Sequence, residues 1–162
     1  MTQEDKLLLL KDLCARLPYG VQCHIKHIHH LSGWIDEGDV ILTGFRQDEF
    51  TKETELLFRK PGGNPKIVFP IDSIKPYLRP VSSMTKEELD KLNEIISKED
   101  HDGYFFVQEE PYYYGLQLQT SDIGCVTGAG LSKAFDYLNS IHVDYRGLIP
   151  NLALEAPEGM YE

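Results

Sequence analysis

VQCHIKHI, residues 21–28, alternates side chains with a period of two, and at this stretch the chain stops reading as helix. In a strand, Val21, Cys23, Ile25 and His27 share one face, while Gln22, His24 and Lys26 take the other. Three more extended runs follow: DVILTGF (39–45), ETELLFRK (53–60) and KIVFPI (66–71). Between them, LSGWIDEGD and KPGGNPK are rich in turn formers, and Gly62, Gly63, Asn64 and Pro65 suit a hairpin between the third and fourth runs. Residues 19–80 are therefore expected to form a four-stranded meander or a small partial barrel.

Helical signals flank this β-rich region. On the N-terminal side, Thr2 stands three residues before Asp5, and a broad leucine face from Leu7 to Leu17 follows, so residues 1–17 are expected to be a capped helix ended by Pro18 and Gly20. That face suits packing on the strands or docking on a partner. On the C-terminal side, Thr85 with Glu88 forms a capping box, and Leu89, Leu92, Ile95 and Ile96 recur at helical spacing, giving a helix over 85–98. Residues 104–162 are expected to hold a hairpin made of YFFVQ and YYYGLQLQ, a third helix after GCVTGAG, with Ser132 near its cap, and an irregular tail that frays. The fold class expected is α+β, in a single domain spanning 1–162.

Composition narrows the function. Sixteen basic residues against twenty-six acidic ones give a net charge of −10, which repels phosphate backbones and anionic bilayers, so nucleic acid is not the expected partner. No run approaches the roughly 20 apolar residues of a membrane span. The three cysteines, Cys14, Cys23 and Cys125, are odd in number and lack CxxC spacing, as expected of a reducing cytoplasmic protein rather than a disulfide scaffold.

IKPYLRPVSSMTKEEL (74–89), DYLNSIHVDYRGLIPNLALEAPEGMY (136–161) and the opening LLLLKDLCARLPYGV resemble short uncharacterised proteins of gut Bacteroidetes, their phages and mobile elements. The resemblance covers a little under half the chain. It implies a class of origin but no activity, cofactor or site residue. In KPYLRP, two prolines bracket Tyr77, Leu78 and Arg79, which suits an edge strand or a crossing between the sheet and the second helix. Arg79 and Arg146 are each placed to pair with a carboxylate; alternatively Tyr77, Arg79, Tyr145 and Arg146 line an anion pocket.

Chemistry-bearing candidates are sparse. His24, His27, His29 and His30 hold four of the six histidines, and His27 with His29 at i and i+2 could chelate zinc or another divalent cation. A third ligand would have to come from Asp36, Glu37, Asp39 or His101. Without one, the cluster is a polar strand face and no cofactor is expected. Gly124, Gly128 and Gly130 precede a helix, but Leu131 breaks the Walker spacing. No GxSxG elbow is present, so no catalytic set is assembled and an enzyme is not the favoured reading. Tyr112, Tyr113 and Tyr114, together with Tyr77, Arg79 and Arg146, form the expected interaction surface, because Tyr and Arg bring large contact area at low entropic cost. A protein partner or a second copy of the chain is the expected ligand, with a metal-binding protein or metal-dependent hydrolase as the alternative.

Overall fold

The computed structural model describes residues 1–28, 35–49, 54–60, 62–63, 67–99, 103–110, 113–120 and 128–161. The chain is α+β and gathers into two compact units. Residues Met1–Tyr77 and Leu148–Pro157 form the first, and Leu78–Gly147 with Glu158–Glu162 form the second.

In the first unit, helix α1 (Gln3–Arg16) starts at the expected capping box: Thr2 Oγ1 accepts from the Asp5 amide at 3.1 Å, and Asp5 Oδ2 accepts from the Thr2 amide at 2.9 Å. A single 3-10 turn over Leu17–Tyr19 follows, and Gly20 at φ 69° closes it in the left-handed region that glycine adopts without strain. The four expected strands are present as β1 (Gln22–Ile28), β2 (Ile35–Gln47), β3 (Thr54–Arg59) and β4 (Ile67–Phe69), each antiparallel to the next. Two strands extend the meander, β5 (Ile74–Leu78) and the two-residue Leu154–Glu155, so the sheet runs as an open row with β5 beside β1. KPYLRP thus contributes an inner strand flanked by a very short one, and Pro76 sits opposite Cys23.

β2 starts four residues earlier than expected, inside IDEGD. Its acidic residues have poor strand propensity. In the register Asp36, Glu37 and Asp39 lie opposite His27, Lys26 and His24, and the Lys26 ammonium, 3.5 Å from Glu37, makes a favourable cross-strand charge pair. The register shifts between Leu42 and Gly44, a bulge at which Thr43 Oγ1 donates to the Leu57 carbonyl at 2.9 Å.

Alternation sorts the sheet into two faces. Cys23, Ile25, Val40, Leu42, Leu56, Phe58 and Ile74 are buried, as are Leu9 and Leu13 of α1. The leucine face of α1 divides: Leu9 and Leu13 go inward, but Leu7 and Leu8 remain 51% and 37% exposed. Asp12 and Arg16 occupy the inward stripe with them and pair through two bonds of 2.8 and 3.1 Å.

In the second unit, helix α2 (Lys86–Glu99) is capped as expected, with Thr85 Oγ1 accepting from the Glu88 amide and Glu88 Oε2 from the Thr85 amide. The expected hairpin is β6 (Gly103–Glu110) and β7 (Tyr113–Thr120). Helix α3 (Gly128–Ser140) begins earlier than the sequence suggests, so Ser132 lies within it rather than at its cap. Val81, Leu92, Ile96, Phe105, Ala134, Leu138 and Val143 form the core. Asn93 fastens α2 to β6 by donating to the Phe105 carbonyl at 3.0 Å and accepting from its amide at 2.6 Å.

The end of α3 is a Schellman turn: the Val143 amide donates to the Leu138 carbonyl and the His142 amide to that of Asn139. His142 holds the left-handed position, at φ 58°, that glycine usually fills. Its buried ring stacks on Tyr161 with centroids 3.9 Å apart. The end of the tail, expected to fray, is therefore held within this unit through Tyr161.

Candidate functional site

On the outer face of the first unit's sheet, three strands bring together His24, Asp39 and Tyr77. The cross-strand register sets His24 directly opposite Asp39 on one side and Lys75 on the other. Asp39 Oδ1 lies 3.1 Å from His24 Nδ1 and accepts the Tyr77 hydroxyl at 3.0 Å. The second ring nitrogen, Nε2, faces Glu37 Oε1 at 3.6 Å, and Lys26 Nζ lies 3.5 Å from the same carboxylate oxygen. Burial, followed by the hydrogen bond to Asp39, pushes the Tyr77 phenol up, so it remains a donor throughout the neutral range.

His27 belongs to the other face. Its Nδ1 is 2.9 Å from Ser73 Oγ, and its ring meets Phe69 edge-on at 5.9 Å. His29 and His30 lie outside the described residues, as do His101, Cys125 and Tyr112. Among the described residues, no group of three His, Cys, Asp or Glu side chains is arranged to enclose a metal ion. Neither described thiol is activated: burial and the nearby Asp12 carboxylate push Cys23 far up, and desolvation also raises the exposed Cys14.

The second unit carries the two arginines. Arg79 makes the expected bidentate pair, donating through Nη1 and Nη2 to both oxygens of Glu88 at 2.7 and 2.9 Å, and Nη2 also reaches the Ser83 carbonyl at 2.9 Å. Its backbone is fixed too: the Arg79 amide donates to the His142 carbonyl at 2.8 Å, and its carbonyl accepts from the Asp144 amide at 2.7 Å. Arg79 thus ties the entry of α2 to the exit of α3.

Arg146 is held differently. Its guanidinium lies 5.0 Å above the Tyr145 ring centroid, while Nε and Nη2 donate to the Tyr145 hydroxyl at 3.1 and 2.8 Å. That hydroxyl donates in turn to Asn139 Oδ1 at 3.2 Å, and the Tyr145 ring stacks on Phe135 with centroids 5.2 Å apart and planes 17° from parallel. Phe135 is 39% exposed. The sequence pattern assigns Phe135 to the apolar face of α3, but Gly130, Ala134 and Leu138 fill the buried stripe and rotate it outward. Tyr113 and Tyr114 lie in β7, opposite Glu110 and Glu109.

Comparison with protein families, with curated proteins and with solved structures returned no match. Among the described residues, no helix is long and apolar enough to cross a membrane.

Proposed function

We propose that this chain is a non-catalytic, cytoplasmic protein-binding module of a Bacteroidetes genome, phage or mobile element, and that Phe135, Tyr145 and Arg146 form its contact patch. One observation carries this reading: an exposed phenylalanine is stacked on a tyrosine that is itself locked by Asn139 and overlaid by an arginine. Interface hot spots are enriched in Tyr and Arg, and side chains already fixed before binding lose little entropy when a partner arrives. The net charge of −10 disfavours nucleic acid as the partner and favours a protein surface bearing basic residues around an apolar centre.

The test is affinity capture from a native lysate, in parallel with sedimentation of the pure protein. A stoichiometric protein, or a second copy of the chain, should be retained by the wild type and lost by a folded Phe135→Ala, Arg146→Ala variant. A wild type that stays monomeric and retains nothing, or a variant that retains the same partner equally well, overturns the reading.

A further inference from the structure

We propose that two copies of this chain associate through the exposed face of α1, with the two helices antiparallel about a two-fold axis that passes between Leu7 and Leu8. The surface is a different one from the patch of Phe135, Tyr145 and Arg146, and the proposal does not depend on that patch.

The leucine run of α1 serves two sides of the helix. Leu9 and Leu13 are buried, and Lys6 is paired with Asp72 of the same unit at 2.6 Å. Glu4, Leu7, Leu8, Lys11 and Cys14 are all exposed, and their spacing of three and four residues sets them along one stripe, turned away from the buried one. Single exposed leucines are ordinary on a protein surface. Here, however, two adjacent leucines stand between charges of opposite sign, with Glu4 three residues before Leu7 and Lys11 three residues after Leu8.

The order of that stripe points to a second copy as its occupant, because turned end for end it is its own complement. With the axis between Leu7 and Leu8, Leu7 of one copy meets Leu8 of the other and Glu4 meets Lys11, and each contact occurs twice, as an isologous interface requires. A parallel pair would instead set Glu4 against Glu4 and Lys11 against Lys11. Among the described residues neither Glu4 nor Lys11 has a side-chain partner within the chain, whereas the exposed Arg46 and Lys98 are paired with Glu55 and Glu94. The antiparallel arrangement also brings the N-terminal end of each helix dipole beside the C-terminal end of the other. A helix of 14 residues, about 21 Å long, offers less area than a standard interface, and the net charge of −10 opposes association, so the dimer is a reversible one that forms at high protein concentration.

Sedimentation equilibrium of the tag-free protein under reducing conditions, at concentrations up to about 1 mM, should show monomer and dimer in exchange. Leu7→Gln with Leu8→Gln should abolish the dimer. Glu4→Lys alone and Lys11→Glu alone should each weaken it about tenfold, because both symmetry-related pairs become repulsive, and the two changes together should restore it. Circular dichroism confirms that each variant is folded. Phe135→Ala with Arg146→Ala should leave this dimer intact, which separates its failure from failure of the contact patch. The register is read directly by oxidation in a Cys14→Ser background: Glu4→Cys protein mixed with Lys11→Cys protein should give the mixed disulfide, and neither should cross-link to itself. A wild type that stays monomeric over that range, a dimer unchanged in the leucine variant or in the single charge reversals, a double reversal that does not recover, or self-cross-linking of Glu4→Cys overturns the proposal.

Discussion

Asp12 and Arg16 show how much a single pair of residues can decide. Both side chains are fully buried, one turn apart on the inward stripe of α1. Removing one partner strands a charge away from water, so Asp12→Ala should lower unfolding stability by about 3–5 kcal/mol in urea titration. Replacing both residues with leucine and methionine should cost far less, because the apolar pair needs no compensation. The thiols offer a second check. Iodoacetamide at neutral pH should label the exposed Cys14 in the folded protein and reach Cys23 only when the first unit unfolds, as followed by peptide mass mapping. None of this burial was legible in the sequence, where charged residues read as solvent-facing. His24 was likewise visible as a histidine, but its partners Asp39 and Tyr77 come from β2 and β5, and local spacing carries no information about that convergence.

At the scale of elements, the capping boxes of α1 and α2 and the four-strand meander could be read directly, because each depends on residues within a few positions of one another. Pairings that depend on distant segments could not. KPYLRP, expected at an edge or at a crossing between the sheet and the second helix, leads from the sheet towards α2 as β5, which lies between β1 and a strand of only two residues that asks little of the missing amide. Arg79 beside Glu88 holds that carboxyl below its usual range, and the Thr85 amide adds to the effect. A depressed carboxylate contributes stability that is complete above its ordinary pKa and is lost as the pH falls through its folded value. Glu88→Gln should therefore destabilise the protein at pH 7 by about 2 kcal/mol and flatten the acid limb of a stability profile, measured by urea titration across pH. At the other end of α3, stacking on Tyr161 occupies the His142 ring and accompanies its left-handed backbone. Tyr161→Ala should cost about 1 kcal/mol in the wild type and much less in a His142→Gly background, where the stack is already gone; a double-mutant cycle of thermal melts would measure the coupling.

For the whole molecule, the chain gathers into two compact units by a route that no local sequence pattern encodes. It leaves the first unit after Tyr77, builds the second through Gly147, returns for Leu148–Pro157, and ends in the second again. The returning segment buries Leu148, Leu152 and Ala153 and supplies the last strand of the large sheet, while the final residues bring Tyr161 to His142. Because the chain crosses between the units three times, neither is a contiguous stretch of sequence. Residues 1–77 excised alone would lack the last strand of the large sheet, and residues 78–147 alone would lack the ring that stacks on His142.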